Sequence, residues 1–426
     1  MAFPGYRRRV LDDELDVLMA ALPAIAVEGA KAVGKTATAS QRAATIHQLD
    51  DPEQRAIAEA DTDRLLNGPS PVLVDEWQYI PPVWDKVRRA VDAGATPGRF
   101  LLTGSASPEA AGTHSGGGRI VSLRMRPLSL AERVGAPPTV SLAELLTGAR
   151  APVSGRTTFT LEDYTQEVLR SGFPGLRDLT GRALRSQLDG YIQRVVDRDF
   201  PELGHTVRNP EGLRRWMAAY AAATATTTSF EKIRGASTSG EQTKPAKSTV
   251  LPYRDVLERL FILDPVPGWK PSRNLIAELA LPPKHQLADP ALAARLLGAT
   301  SDALLEGRSP GPAIPRDGPL LGALFESLVT LSVRVYAQAS EAAVRHLRSH
   351  RGQHEIDLIV ERADGRVIAI EVKLGATPGK DSVRHLGWLS KQVGDDLLDA
   401  IVITTGEEAY RRPDGIAVVP AALLGP

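Results

Sequence analysis

Cysteine and long apolar runs are missing from this sequence, and each absence excludes a class of protein. None of the 426 residues is cysteine, which excludes disulfides and thiolate metal sites and suits a reducing cytoplasm. No run of about 18 apolar residues occurs, and no apolar segment precedes the acids of the N-terminal stretch MAFPGYRRRVLDDELD. We therefore expect no membrane span, no signal peptide and a solvated end at YRRR.

An excess of charge of either sign is missing as well. Lys plus Arg and Asp plus Glu number 51 each, so any contact with nucleic acid or another polyanion must come from a local patch. The hydrophobic content of 42% is that of a globular protein. The chain is too long for one ordinary core, and two to four domains are expected.

Strands and helices alternate in the first third of the chain. Apolar runs at AIAVEG, TIHQL, PVLVDE, RFLLTG and RIVSLRMRP are separated by helical segments such as PPVWDKVRRAVDAG. This alternation predicts a parallel sheet with crossover helices, ending near residue 133. Pro and Gly clusters then predict a linker over residues 134–158.

One loop in this region has a full phosphate-binding motif. GAKAVGKT, residues 29–36, fits G-x-x-x-x-G-K-T and lies between an apolar strand and a helix. Lys35 would bind the β- and γ-phosphates of a nucleotide, and the Thr36 hydroxyl would ligate Mg²⁺. The backbone amides that would surround the phosphate oxygens are those of Gly29, Ala32, Val33 and Gly34.

Acids and hydroxyls at the ends of two later strands support this site. PVLVDE ends in Asp75, which would hold the Mg²⁺ shell, and Glu76, which would orient or activate the attacking water. RFLLTGS ends in Thr103 and Ser105, either of which could contact the γ-phosphate or the water. Arg119, after the flexible HSGGG, could act as an arginine finger, and an ordinary surface arginine is the alternative.

Residues 1–135 resemble an AAA-type P-loop ATPase domain. The whole chain is similar to a prokaryotic family in which such a domain precedes a winged helix and a C-terminal domain of unknown function. That last domain resembles restriction endonucleases. The resemblance rests on EGAKAVGKT, VDEWQYIPPVWDKVR, LLTGSA, GRIVSLRMRPLSLAE, YIQRVVDRD, YRDVLERLFIL, LGALFESLV, HEIDLIV and IAIEVKLG.

This resemblance implies ATP and Mg²⁺ as cofactors but does not settle a reaction. The matching ATP-binding positions are Gly34, Lys35, Thr36, Asp75 and Glu76. One small departure is Lys31, which adds a charge inside the loop and is expected to do no harm.

We therefore predict an α/β multidomain protein. The units after the ATPase domain are a helical lid or connector at 155–228, a winged helix at 229–270 and a restriction-endonuclease-like α/β domain at 319–426, after a Pro-rich break at 300–318. Within residues 229–260 there are six Lys/Arg and four Asp/Glu, a net of plus two. This weak basic field makes DNA the expected partner, through Lys244, Lys247 and Arg254, and a protein-contact module is the alternative.

The stretch RADGRVIAIEVKLG carries an acid and a base on an otherwise apolar strand. Glu371 and Lys373 are two residues apart and so share a face. An odd hairpin register, with a three-residue loop at 363–365 and Gly at its last position left-handed, keeps the other face apolar. It also sets Asp357 opposite Glu371. With Glu326 from the preceding helix, these acids predict a metal site in which Glu371 and Lys373 are catalytic.

That arrangement resembles the D…ExK site of restriction-type nucleases, and a solvated polar face with ordinary ion pairs is the alternative. Two functions stay open. The first is an ATPase, possible as a homo-oligomer, that couples nucleotide state to a winged-helix and nuclease-like module acting on DNA. The second is a nucleotide-dependent switch that binds DNA or protein without cleavage. A small-molecule kinase is disfavoured because the two extra domains supply no compact acceptor pocket.

Overall fold

The structure is a computed structural model that describes residues 5–105, 117–238, 244–271, 278, 281–306, 318–349 and 352–426. Three predicted features fall partly outside these residues. They are the glycine-rich approach to Arg119, the loop inside the expected winged helix and the Pro-rich break before residue 318.

The first unit is built on a parallel sheet. Its elements are α1 (Leu11–Ala21), β1 (Ala24–Glu28), α2 (Lys35–Ser40), β2 (Thr45–Gln48), α3 (Pro52–Ala60), β3 (Val72–Asp75), α4 (Pro82–Asp92), β4 (Phe100–Gly104), β5 (Val121–Arg124) and α5 (Leu130–Arg133). The strand order is β2-β3-β4-β1-β5, and every pairing is parallel. β1, β3 and β4 are buried along their whole length, because apolar clusters cover both faces of the sheet. The predicted parallel sheet is confirmed, and the carboxyl ends of its central strands meet at one edge.

The middle of the chain is mainly helical, as predicted. Its elements are β6 (Val140–Ser141), α6 (Leu142–Leu146), β7 (Gly155–Arg156), α7 (Leu161–Leu169), α8 (Gly181–Arg194), α9 (Phe200–Glu202), α10 (Pro210–Ala222), α11 (Phe230–Ala236), α12 (Lys247–Arg259), β8 (Gly268–Trp269), α13 (Pro290–Leu296) and α14 (Ser301–Leu305). A π-helical turn, Val195–Asp199, joins α8 to α9.

Two extended segments follow α12 and meet each other in antiparallel fashion. Leu263 bridges Leu287, and Val266 bridges Lys284. The order of helices followed by an antiparallel pair is the order expected for a winged helix. The identity of this region as a winged helix stays a prediction. Two of its expected DNA-binding side chains lie beside acids, since Lys244 pairs with Glu231 and Arg254 with Glu258.

The prediction of a free linker over residues 134–158 is wrong. β6 pairs with the strand Leu424–Gly425 at the end of the chain, and β7 pairs with the strand Glu408–Arg411. The three leucines of α6 are buried. The Pro and Gly clusters in this stretch hide these short pairings, because two-residue strands leave no detectable alternation in a sequence.

The last unit has a mixed eight-stranded sheet between two helices. Its elements are α15 (Gly318–Ala339), β9 (Ala343–Arg348), β10 (Glu355–Glu361), β11 (Val367–Val372), α16 (Lys380–Val393), β12 (Leu397–Thr404), β13 (Glu408–Arg411), β14 (Ala417–Pro420) and β15 (Leu424–Gly425). The strand order is β7-β13-β14-β12-β11-β10-β9-β8. Leucines of α15 pack on one face of the sheet, and Leu386 and Leu389 of α16 pack on the other. Strands β7 and β8 come from earlier parts of the chain, so the sheet is wider than the predicted 319–426 domain.

Among the described residues, α15 is long and apolar enough to cross a membrane by length and composition alone. However, 67% of its most apolar window is buried inside the protein. Here the helix covers a face of the sheet, as the central helix of a folded core does.

The predicted hairpin register between β10 and β11 is confirmed where the strands pair. Leu358 lies opposite Ile370, and Val360 lies opposite Ile368. The three-residue loop ends at Gly365, whose φ of +83° is left-handed as expected. The expected pair of Ile356 with Val372 is not part of this ladder. Instead, the backbone N–H of Val372 donates to the Asp357 carboxylate at 2.9 Å, which ends the regular pairing.

Candidate functional site

The loop between β1 and α2 has the backbone that the phosphate-binding motif requires. Gly34 has φ +102°, a left-handed value suited to glycine. A Cβ atom at Gly29 would lie 2.2 Å from the carbonyl oxygen of Met125, so no larger residue fits there. The Lys35 side chain is buried, and its Nζ donates to the carbonyl oxygens of Gly29 and Ala30 at 2.9 and 3.0 Å. Burial lowers the pKa of Lys35 to about 8.

Two groups whose oxygen atoms could ligate a metal ion lie side by side: the Thr36 hydroxyl at the start of α2 and the Asp75 carboxylate at the end of β3. The Thr36 hydroxyl donates to Asp75 Oδ1 at 2.7 Å, and the Thr103 hydroxyl donates to the same oxygen. Burial raises the pKa of Asp75. Mg²⁺ binds few protein oxygens and keeps water and phosphate oxygens in its other positions. The pair of Thr36 and Asp75 therefore fits Mg²⁺ bound together with a nucleotide.

Glu76 is held beside Asp75 in a constrained conformation. Its φ of +53° is left-handed, which is rare for a residue with a side chain and occurs often at functional sites. The Ser105 hydroxyl donates to Glu76 Oε2 at 3.0 Å, and the Gln78 side-chain amide donates to the same oxygen. The backbone N–H of Glu76 donates to Thr103 Oγ1 at 3.3 Å. The side chains of Ser105 and Gln78 thus fix the carboxylate at the carboxyl edge of the sheet.

The middle unit contacts the phosphate loop directly. Lys31 Nζ lies 2.6 Å from Asp199 Oδ1 and 2.8 Å from Glu202 Oε2. The Tyr191 hydroxyl donates to the carbonyl oxygen of Lys31 at 3.2 Å. We call these four residues the loop clamp. Lys31 was expected to add a charge to the loop and to do no harm. Its partners lie 160 or more positions away along the chain, so no local pattern could reveal them.

Small-ligand sites are typically clefts of about 300–1,000 Å³, and one cleft within that range opens beside Gly34. Its volume is about 630 Å³, and Tyr6, Thr38 and Asp178 are among its lining residues. The Tyr6 hydroxyl donates to the Asp12 carboxylate at 2.6 Å. The solvated end expected at YRRR is therefore found only in part: Arg7 and Arg8 are exposed, but Tyr6 is half-buried against α1 and α2 and Arg9 is buried.

Arg119 lies at the opposite edge of the sheet from this loop. It precedes β5, which runs parallel to β1, so it is at the amino ends of the strands. Its Nε donates to Asp92 Oδ1 at 2.8 Å. Arg119 therefore does not reach the phosphate loop of its own chain, and a role as an arginine finger would require a second copy. The glycine-rich segment before Arg119 has no helix or strand pattern, so the sequence could not predict at which end of the sheet Arg119 lies.

The predicted C-terminal residues do come together. Lys373 Nζ lies 2.6 Å from Glu371 Oε2 and 3.8 Å from Asp357 Oδ2, so one ammonium is flanked by both carboxylates. Glu371 is only 3% exposed, and burial followed by the nearby Asp357 raises its pKa. Its Oε1 atom has no hydrogen-bond partner among the described residues.

A lysine that the sequence analysis missed completes this group. Lys284 Nζ donates to Glu326 Oε1 at 2.8 Å and to Asp357 Oδ1 at 3.1 Å, and its side chain is 0% exposed. Burial alone would lower the pKa of Lys284, but the two carboxylates more than offset it and the pKa is raised. We call Lys284, Glu326, Asp357, Glu371 and Lys373 the acidic cluster. PPKHQL, where Lys284 lies, matches no motif that could have revealed it.

The acidic cluster does not fit a metal ion as it stands. In the part of the chain that the structure describes, no group of three or more His, Cys, Asp or Glu side chains is arranged to hold one. The prediction placed a metal between Asp357 and Glu371, with Glu326 as a third ligand. Two ammonium groups lie among these acids instead: Lys373 contacts Glu371 and Asp357, and Lys284 contacts Glu326 and Asp357. The expected metal site of Glu326, Asp357 and Glu371 is thus replaced by an ion-pair network of three acids and two lysines.

Three family models match separate parts of the chain. The model of the AAA domain matches residues 22–134, which contain the phosphate loop and its sheet. Two domains of unknown function, DUF8612 and DUF4143, match residues 161–303 and 321–424. The first of these spans the predicted connector and the predicted winged helix together.

Two mycobacterial proteins are similar to most of this chain. Uncharacterized proteins of Mycobacterium tuberculosis and Mycobacterium bovis are each 27% identical over 374 residues, covering 85% of this chain and 71% of theirs. A solved Walker-type ATPase of Pyrococcus abyssi aligns with 67% of this chain and 94% of its own, at 14% identity and a TM-score of 0.39. That score is too low to establish a shared fold.

Proposed function

We propose that this chain, whose residues 22–134 are an AAA-type P-loop ATPase domain, binds and hydrolyses ATP and uses the nucleotide state to change the contacts of its middle unit. One observation carries the proposal. Lys35, Thr36, Asp75 and Glu76 converge at the carboxyl edge of one parallel sheet, around a loop with the backbone that phosphate binding needs.

The residues divide the chemistry between them. Lys35 would exchange the carbonyl oxygens of Gly29 and Ala30 for the β- and γ-phosphates, and Thr36 and Asp75 would hold Mg²⁺. When bound, Mg²⁺ neutralises charge on the phosphate oxygens. Glu76 would orient the water whose oxygen forms a bond to the γ-phosphorus, while the bond to the β–γ bridging oxygen breaks. ADP and inorganic phosphate leave, and the water proton passes to Glu76 or to a phosphate oxygen.

The loop clamp supports coupling to the middle unit. Lys31 is bound by Asp199 and Glu202. A γ-phosphate would offer Lys31 a more highly charged partner a short distance away. We therefore expect nucleotide binding to loosen the contact between the phosphate loop and the π-helical turn that contains Asp199.

The binding step is tested by measuring ATP–Mg²⁺ affinity for wild type and Lys35→Ala by titration calorimetry. A hydrogen bond to a charged group contributes about 1.5–3 kcal/mol, so the variant should bind at least about 10-fold more weakly. Lys86→Ala is the matched control, because Lys86 lies on α4 in the same domain and pairs with exposed Asp63. Equal affinity in wild type and Lys35→Ala would contradict the proposal.

A second candidate function, DNA binding by the C-terminal unit, is supported by a basic cleft. Lys270 and Arg348 line a cavity of about 550 Å³ between the middle and C-terminal units. Phosphate contacts from such residues would give an affinity that falls steeply with salt. This site is distinct from the expected one on α12, where Lys247 is exposed at the first turn.

The two DNA hypotheses are separated by fluorescence anisotropy of a labelled duplex over a series of salt concentrations. If DNA binds in the cleft, the double variant Lys270→Ala with Arg348→Ala should bind more weakly. The slope of log affinity against log salt concentration should also become shallower by roughly 2, about 1 for each lost phosphate contact. Lys391→Ala on α16 is the control. An effect from Lys247→Ala alone would assign DNA to the predicted winged helix, and no effect from any variant would remove DNA as a partner.

A further inference from the structure

Lys284 enters the acidic cluster from outside the C-terminal unit. It belongs to the segment after residue 280, which pairs with residues that follow α12. The backbone N–H of Lys284 donates to the carbonyl oxygen of Val266 at 2.9 Å, and the N–H of Val266 donates back to Lys284 at the same distance. Next to it, the N–H of His285 donates to the carbonyl oxygen of Thr226 at 2.8 Å. The lysine is thus anchored to the middle unit by its backbone and reaches the other unit by its side chain.

The ammonium is fully satisfied where it lies. It has three N–H donors, and three oxygens surround it: Glu326 Oε1 at 2.8 Å, Asp357 Oδ1 at 3.1 Å and the carbonyl oxygen of Asp357 at 3.4 Å. Its side chain is excluded from water. A buried charge is tolerated only with partners of this kind, so the contact is specific to the position of these two acids.

The same oxygens cannot serve Lys284 and a divalent metal together. A magnesium ion that bridged Glu326 Oε1 and Asp357 Oδ1 with bonds of about 2.0–2.1 Å would lie close beside the Lys284 ammonium, because that ammonium also contacts both oxygens. Two cations at that separation in a buried site repel strongly. Lys284 and a metal ion are therefore alternatives in this gap.

We propose that Lys284 is a tethered cation that takes the place of a divalent metal in the acidic cluster, closing that site to metal and locking the middle unit onto the C-terminal unit. The inference does not depend on ATP hydrolysis. It goes beyond the DNA hypothesis as well. Lys284 of the middle unit would keep metal away from the nuclease-like arrangement of Asp357, Glu371 and Lys373.

The proposal is tested by counting Mn²⁺ ions bound to nucleotide-free protein by electron paramagnetic resonance. Mn²⁺ accepts the same carboxylate ligands as Mg²⁺. Lys284→Met should bind about one more ion per chain than wild type, and adding Glu326→Gln to it should weaken the binding of that extra ion. Lys86→Met is the matched control and should leave the count unchanged. The same count in wild type and Lys284→Met would overturn the proposal.

A second measurement uses the wild-type protein, since Lys284→Met leaves two buried acids without their partner and could prevent folding. Amine acetylation followed by mass spectrometry should label exposed Lys247 quickly and Lys284 only slowly, and millimolar Mn²⁺ should not change the rate at Lys284. Rapid labelling of Lys284 would overturn the proposal. So would labelling accelerated by Mn²⁺ but not by an equal ionic strength of Na⁺, because it would mean that the metal displaces the lysine readily.

Discussion

Glu76 shows how much the chemistry of a single residue depends on neighbours that its sequence position does not reveal. Its place after the apolar run PVLVD was enough to predict a role in water activation. The hydroxyl of Ser105 and the amide of Gln78, which fix its carboxylate, lie on other segments or in a turn. Ser105 was expected to contact phosphate or water, and the structure instead places its hydroxyl on the glutamate.

This contact leads to a prediction for Ser105→Ala. Loss of one hydrogen bond of about 0.5–1.5 kcal/mol should leave the Glu76 carboxylate less well oriented. The turnover number for ATP hydrolysis should fall roughly 2- to 10-fold, while KM stays close to the wild-type value because no binding contact is removed. Steady-state kinetics with Thr147→Ala, an exposed hydroxyl on another unit, as control would check it. A changed KM with unchanged kcat would mean that Ser105 binds nucleotide instead.

The acidic cluster shows the limit of prediction at the residue scale. Glu371 and Lys373 could be predicted from spacing on one strand, and Asp357 from hairpin register, because both depend on local geometry. Lys284 could not. It reaches Glu326 and Asp357 across 42 and 73 sequence positions, and only the packing of two units brings it there.

At the scale of elements, periodic patterns were reliable and short pairings were not. The alternating parallel sheet and the β10–β11 hairpin followed from burial patterns that extend over several residues. β6 and β7 are two residues long, and their partners lie near the end of the chain. No local signal distinguishes such strands from a loop, which is why residues 134–158 were expected to be a linker.

The loop clamp carries a prediction at this scale. It joins the phosphate loop to the π-helical turn Val195–Asp199, and such turns occur often at functional sites. In wild type, ATP–Mg²⁺ should make hydrogen exchange of the amides in residues 195–202 faster, because nucleotide binding is expected to loosen the loop clamp. In Lys31→Met, exchange there should already be faster without nucleotide, because Asp199 has lost its principal partner, and ATP should add little.

Hydrogen exchange followed by mass spectrometry measures this directly, with Lys86→Met as the matched control. If Lys31→Met retains ATP binding and shows the same nucleotide-dependent change as wild type, the clamp does not transmit the nucleotide state. Loss of ATP binding in Lys31→Met would show instead that Lys31 is a phosphate ligand whose contact with Asp199 is secondary.

At the scale of the whole molecule, buried charges join all three units. Asp264, after α12, accepts from Arg126 at 2.8 Å and lies 3.0 Å from Arg334 on α15 and 3.5 Å from Arg124 at the end of β5. Burial alone would raise the pKa of Asp264, but the arginines more than offset it and the pKa is lowered. These contacts lie one strand away from the phosphate loop, so ion pairs connect the unit that holds the loop to both later units.

This connection could not be predicted from a sequence with balanced charge. The net charge is zero and does not reveal that arginines of the first and last units converge on Asp264 of the middle unit. The parallel sheet of the first unit was predictable because it has its own local pattern. The contacts between units were not, since they depend on how complete folded surfaces fit together.

The central claim is that this site hydrolyses ATP, and phosphate release by wild type and Glu76→Gln tests it most directly. Wild type should release phosphate over many turnovers with Mg²⁺. Glu76→Gln should bind ATP with near wild-type affinity and release phosphate at least about 100-fold more slowly, because a positioned base contributes roughly 10²–10⁴-fold. Glu59→Gln, on the exposed face of α3, should match wild type. Phosphate release at the wild-type rate by Glu76→Gln would contradict the account.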